Sequence, residues 1–125
     1  MNLEKVVFGF FIVLALTLNV AFVAGDAADA SHHSIWLLFA AVVVNLVATV
    51  LKLGDRSHVG ALLLATALVA DLQLLASACI WAFADTSAGL APGTLVTIVS
   101  LATGALVANV VSVTLLVCDA LMAGR

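Results

Sequence analysis

The stretch Val59–Phe83, VGALLLATALVADLQLLASACIWAF, decides the fold. It carries one charged side chain, Asp71, near its middle. As a helix rising about 1.5 Å per residue it is long enough to cross a hydrocarbon layer about 30 Å thick. Acids inside such segments are expensive and mark function by default. The sequence has three other apolar runs, at about 6–24, 35–53 and 95–117. Each contains an asparagine: Asn19, Asn45 and Asn109. The reading is therefore an all-α, polytopic membrane domain of four helices spanning 1–125, apolar outside and polar within.

Composition agrees. The chain is 66% hydrophobic and 9% charged, with a mean hydropathy of +1.34. Soluble domains are about 25% charged, so lipid must cover this surface. Four Lys+Arg and a net charge of -3 argue against a nucleic-acid partner. Cys79 and Cys118 both fall inside spans and form no CxxC motif. The first run is longer than the 7–15 residues of a signal-peptide core and is expected to stay as an anchor.

Short polar loops separate the spans. All the Lys and Arg, namely Lys5, Lys52, Arg56 and Arg125, fall at the termini and in the middle loop. By the positive-inside rule these parts face the cytoplasm. The opposite side carries Asp26, Asp29, His32, His33 and Asp85. Pro92 suits the first turn of the fourth helix, Gly54 the C-cap of the second, and Lys52 a snorkelling position. One short pattern recurs weakly. Val44-Asn45-Leu46-Val47-Ala48 aligns with Ala108-Asn109-Val110-Val111-Ser112, suggesting two parallel hairpin repeats.

Helical spacing places Ala41, Asn45 and Ala48 on one stripe, Ala105, Asn109 and Ser112 on another, and Gly60, Ala67 and Asp71 on a third. Facing inward, Asp71, Asn19, Asn45 and Asn109 would form one polar layer that lines an ion route or binding site, with Ser112 beside it. Gln73 points to the other side of its helix, toward a neighbouring subunit or another helix of the bundle. Gly104, Ala108 and Ser112 form a small-residue row fit for close packing against another helix or another subunit. The bland alternative is that the amides only staple helices together, at about 0.6–2 kcal/mol each.

Other chemistry is poorly represented. His32-His33 with Asp26 and Asp29 lacks the further ligands a metal needs, and no metal or cofactor is expected. Thr49-Val50-Leu51-Lys52-Leu53-Gly54-Asp55 lacks the glycine-relaxed carbonyl run of a potassium filter, and Lys52 would repel cations. There is no nucleophile–base order or phosphate loop, so the chain is not expected to be an enzyme.

Leu38-Phe39-Ala40-Ala41-Val42-Val43-Val44-Asn45-Leu46 looks like the second helix of the bacterial fluoride channels. Their phenylalanine- and threonine-rich third-helix motif has no counterpart in Ala65–Gln73, so the match is rejected. The small multidrug transporters share the size but carry their acid in the first span, where this chain has Thr17 and Asn19. Glu4–Phe11, Asn45–Lys52, Gly54-Asp55-Arg56 and Leu68–Leu74 together resemble a family of short, uncharacterised proteobacterial inner-membrane proteins. That resemblance implies a bacterial inner membrane and four helices, and no activity. The functional expectation is ion movement, of a cation or proton, by a homo-oligomer in the lipid bilayer. The alternative is a non-conducting accessory or assembly subunit bound to a larger membrane protein.

Overall fold

A computed structural model describes residues 3–26, 28–55, 57–84, 87 and 89–123. Four helices form: α1 (Leu3–Val23), α2 (Ile35–Lys52), α3 (His58–Phe83) and α4 (Pro92–Ala123). All four are long and apolar enough to cross a membrane. Three of them match the sequence-based spans to within three residues. α4 starts three residues earlier and runs further than expected. Its 32 residues reach about 48 Å at 1.5 Å each, well beyond a hydrocarbon layer. Nothing from Leu95 to Ala123 breaks a helix, and the polar ends of α4 have water available to them. Arg56, Asp85 and Arg125, on which the charge reading partly rests, lie outside the described residues.

The helices run up and down in chain order. The main interfaces are α1 with α2, α2 with α3, α3 with α4, and α1 with α4. Lys5, Lys52, Asp55 and Asp119 gather at the end where α1 begins and α4 finishes. Phe22, Trp81 and Leu90 pack near the opposite end.

The polarity runs inside out. Leu72 is 70% exposed and Val107 62%, whereas Asn19, Ser77 and Ser112 are completely buried. Transfer from lipid to a protein interior yields almost no hydrophobic gain, so close packing and interhelical hydrogen bonds must hold the helices together. The buried alanines Ala67, Ala70, Ala102, Ala105 and Ala108 let α3 and α4 form the most extensive interface in the bundle.

Loops are defined by local hydrogen bonds. α2 ends on Leu53, whose N–H donates to the carbonyls of Thr49 (3.1 Å) and Val50 (3.2 Å). Gly54 follows at φ +92°, the left-handed conformation a helix C-terminus commonly requires. Asp55 then accepts from Ser57 N (3.0 Å), Ser57 Oγ (2.8 Å) and Lys52 Nζ (3.0 Å). Those bonds to Ser57, and then the one to Lys52, lower the carboxyl of Asp55 to about 2 from 3.8. Ser57 caps α3 by accepting from Gly60 N at 2.9 Å. Lys52 also lies 4.2 Å from the centre of the Phe8 ring. Its charge thus sits at the bundle's rim between a carboxylate and an aromatic face.

Candidate functional site

Asp71 lies on the inward stripe of α3 with Ala67, Ala70 and Leu74, and all four are buried. Its Oδ2 accepts a hydrogen bond from Thr49 Oγ1 of α2. Thr49 Oγ1 also lies 2.9 Å from the backbone carbonyl of Asn45. A hydroxyl has one proton and two lone pairs, so Thr49 is a two-way node between the acid and the α2 backbone. Asp71 Oδ1 is buried without a hydrogen-bond partner. Asp29 forms an ion pair with His32, and Asp55 with Lys52. Neither reaches Asp71.

The asparagines divide into two arrangements. Asn45 donates from Nδ2 to the Ala41 carbonyl of its own helix at 2.8 Å. Asn19 of α1 crosses to α4 instead. With its amide nitrogen turned toward Ala102 O (2.9 Å), its oxygen accepts from Leu106 N (3.1 Å) and Asn109 Nδ2 (3.0 Å). Ala102 and Leu106 are four residues apart, the spacing of one helical backbone bond. One amide thus binds both ends of a single rung of α4 and the Asn109 side chain as well.

Asn19, Asn45, Asp71 and Asn109 are all buried, as the sequence suggested. Their hydrogen bonds fall into two sets that share no partner. Asp71 pairs with Thr49, and Asn19 pairs with Asn109. The weakly repeated Asn45 and Asn109 have different roles, one turned onto its own helix and the other across to α1.

Ser112 meets Thr66 of α3, with the hydroxyl oxygens 2.5 Å apart. Gln73 lies against Gly104 of the same chain. A Cβ built on Gly104 would come within 2.6 Å of Gln73 Nε2, so a side chain there would have to push this amide out of its present position. The Gly104, Ala108 and Ser112 row therefore packs on α3 within the chain. Gln73 Oε1 is buried and unpartnered, beside a groove of about 300 Å³ that includes Val69, Gln73 and Val107.

Sequence reasoning missed Thr49, Thr66, Ser77 and His33. Thr49 stands one helical turn after Asn45, and that spacing was the available signal. Ser77 donates to the Ile98 carbonyl of α4 at 2.9 Å. At the loop end, His33 is buried at 3% exposure, with Nδ1 2.6 Å from Phe22 O and Nε2 2.8 Å from Asp26 O. Among the described residues no group of three or more His, Cys, Asp or Glu side chains is placed to hold a metal.

A cavity of about 370 Å³ opens at the end where α1 begins and α4 finishes, between Lys5, Lys52, Asp55 and Asp119. Phe8 and Leu63 line it and also belong to a buried apolar cluster with Ile12 and Ala48. Along α3, Asp71 lies about 12 Å beyond Leu63.

The family model described as "Family of unknown function (DUF6394)" matches residues 32–120. The chain belongs to that family. The matched region of this DUF6394 protein contains Asn45, Thr49, Asp71, Gln73, Asn109 and Ser112. Asn19 and the rest of α1 precede it. No curated protein and no solved structure matched the chain.

Proposed function

We propose that this protein moves a small monovalent cation or a proton across a membrane by loading and unloading Asp71. The observation that carries the reading is the environment of its carboxyl. Asp71 Oδ2 has Thr49 as partner, Oδ1 has none, and no basic side chain among the described residues forms an ion pair with it. A carboxyl without a counter-charge in a low-dielectric interior becomes neutral by holding a proton or a cation. Exchanging one for the other leaves the buried charge unchanged. Thr49 is the group that adjusts, because its hydroxyl can accept from a protonated Asp71 or donate to an ionised one.

The cavity beside Lys5 and Lys52 is the inner entrance. Phe8 and Leu63 separate it from Asp71, so loading from that side requires these apolar side chains to part. Lys5 and Lys52, with Arg56 and Arg125, assign this end to the cytoplasm by the positive-inside rule. We place the protein in the bacterial inner membrane on the same ground and on its resemblance to short proteins of that membrane. It acts there as a homo-oligomer, since one four-helix bundle leaves little room for a water-filled route. No catalytic activity is assigned to it.

One observation favours a second reading. The groove beside Gln73 faces outward between α3 and α4, with an amide among apolar side chains. A helix of a larger membrane protein would fit there, making this chain an accessory subunit. Purified protein in proteoliposomes tests the choice. Ion or proton flux from this chain alone supports transport. Absence of flux, together with stable co-purification of another membrane protein, supports the accessory role.

A further inference from the structure

We infer that the cavity at the end where α1 begins and α4 finishes holds the headgroup of a phospholipid that joins a phosphate to a primary ammonium, the phosphoethanolamine class. The inference rests on which charges around the cavity are already engaged and which are not.

The cavity has a volume of about 370 Å³, within the range of about 300–1,000 Å³ for small-molecule sites. Two of its charged groups are committed to one another. Lys52 donates to Asp55 Oδ2 at 3.0 Å and lies 4.2 Å from the centre of the Phe8 ring. Asp55 also accepts from the backbone N–H and the hydroxyl of Ser57. Lys5 of α1 and Asp119 of α4 line the same cavity, and neither forms an ion pair with another described residue. One uncommitted cation and one uncommitted anion thus border one space.

A zwitterion answers both. Its phosphate accepts from the Lys5 ammonium, and its own ammonium donates to the Asp119 carboxylate. Both contacts are charge-assisted hydrogen bonds. A headgroup of one sign fails at one wall: an anion meets Asp119, and a cation meets Lys5. Basic pockets between transmembrane helices on the cytoplasmic side bind anionic headgroups, and the acid on α4 is what changes that preference here. A choline headgroup carries the same two charges but has no N–H to donate to Asp119, so the primary ammonium is preferred.

The setting suits a lipid better than a free solute. Phe8, Leu63 and Leu116 supply apolar lining, and Phe8 and Leu63 are buried. Leu3 and Leu121 are exposed, and they stand two residues from Lys5 and Asp119 respectively. The uncommitted charges therefore have apolar surface beside them along which acyl chains can lie.

The transport reading uses this cavity as an entrance. A headgroup there covers Phe8 and Leu63, so its binding competes with loading of Asp71 from this end. That consequence rests on the transport reading, whereas binding itself does not and is measured without flux.

Backbone-amide NMR of the full-length protein in uncharged detergent micelles tests the inference. The probes are dihexanoyl phosphatidylethanolamine, phosphatidylcholine and phosphatidylglycerol. The amides of Gly60 and Leu116, which line the cavity, report binding, and that of Trp81 near the opposite end serves as control. Phosphatidylethanolamine should shift the two cavity amides at concentrations about tenfold lower than the other lipids. Asp119→Asn should bring it level with phosphatidylcholine, and Lys5→Gln should weaken all three by about five- to tenfold. Equal affinity for the three lipids, or tightest binding of phosphatidylglycerol, would overturn the headgroup assignment. A phosphatidylethanolamine advantage that survives Asp119→Asn would overturn the part given to Asp119, and unchanged binding by Lys5→Gln the part given to Lys5. Glycerophosphoethanolamine, which lacks acyl chains, should bind about tenfold more weakly than the lipid. Binding as tight as the lipid's would overturn the lipid assignment in favour of a soluble zwitterion.

Discussion

Thr49 of α2 hydrogen-bonds Asp71 of α3 inside the bundle while facing the carbonyl of Asn45 in its own helix. The contact joins the one acid of the Val59–Phe83 run to a backbone that cannot titrate. Thr49→Val keeps the shape and removes the hydroxyl, leaving both carboxyl oxygens of Asp71 without the partners described here. Stability should fall by about 1–3 kcal/mol, and Thr49→Ser should recover most of it. Unfolding in mixed micelles measures both.

Asn19 and Asn109 form the second polar cluster, 3.0 Å apart and joined to Ala102 and Leu106. Asn19→Leu should weaken the α1–α4 contact more than Asn109→Leu, because Asn19 also binds two backbone groups. A double-mutant cycle should give a coupling of about 0.6–1.7 kcal/mol, the range for interhelical bonds in membranes. Coupling near zero would mean that the two amides act independently.

Gly104 and Gln73 depend on one another. Gly104→Ala places a Cβ 2.6 Å from Gln73 Nε2; the amide is the far end of a flexible side chain that can turn aside, and alanine favours the helix, so the net cost should stay below about 1 kcal/mol. Shortening the amide in a Gly104→Ala/Gln73→Ala double variant should recover most of that loss. Failure of this rescue would show that the sensitivity of Gly104 comes from elsewhere, such as contact between subunits.

Much of the fold was legible in the sequence because each span is an apolar run bounded by a polar loop. α4 was underestimated because its apolar core is shorter than the segment able to remain helical. Burial of Asp71, Asn19, Asn45 and Asn109 was also legible, since polar side chains in a lipid-facing helix turn inward. Their partners were not. Spacing along one helix gives the face a residue occupies, but which helix lies opposite depends on the relative rotation and height of two helices. That is why Thr49 was passed over as the acid's partner, and why spacing left Gln73 and Gly104 between another helix of the bundle and a neighbouring subunit. His33 was hidden for a different reason: its burial comes from a loop folding back on the end of α1, which no periodicity records.

Asp55 gives the turn between α2 and α3 an acid limit. Its carboxyl is held at about 2, below the ordinary 3.8, so folding favours the ionised form. This contribution is fully present above the ordinary value and is lost as pH falls from about 3.8 toward 2. Thermal unfolding of the native protein and Asp55→Asn should differ by a constant amount from neutral pH down to about 5, and the difference should shrink below about 4. A difference that stays constant down to about pH 2 would contradict the bonding described for this turn.

The central claim is that Asp71 is the group an ion or proton must occupy in crossing. Flux through purified protein in vesicles, driven by a pH gradient or a cation gradient, tests it most directly when Asp71→Asn and Asp71→Glu are compared with the native chain. Asp71→Asn keeps the shape and removes the exchangeable charge, so flux should fall to the level of empty vesicles while the protein stays folded. Asp71→Glu should retain part of it. Native flux from a folded Asp71→Asn protein would contradict the account.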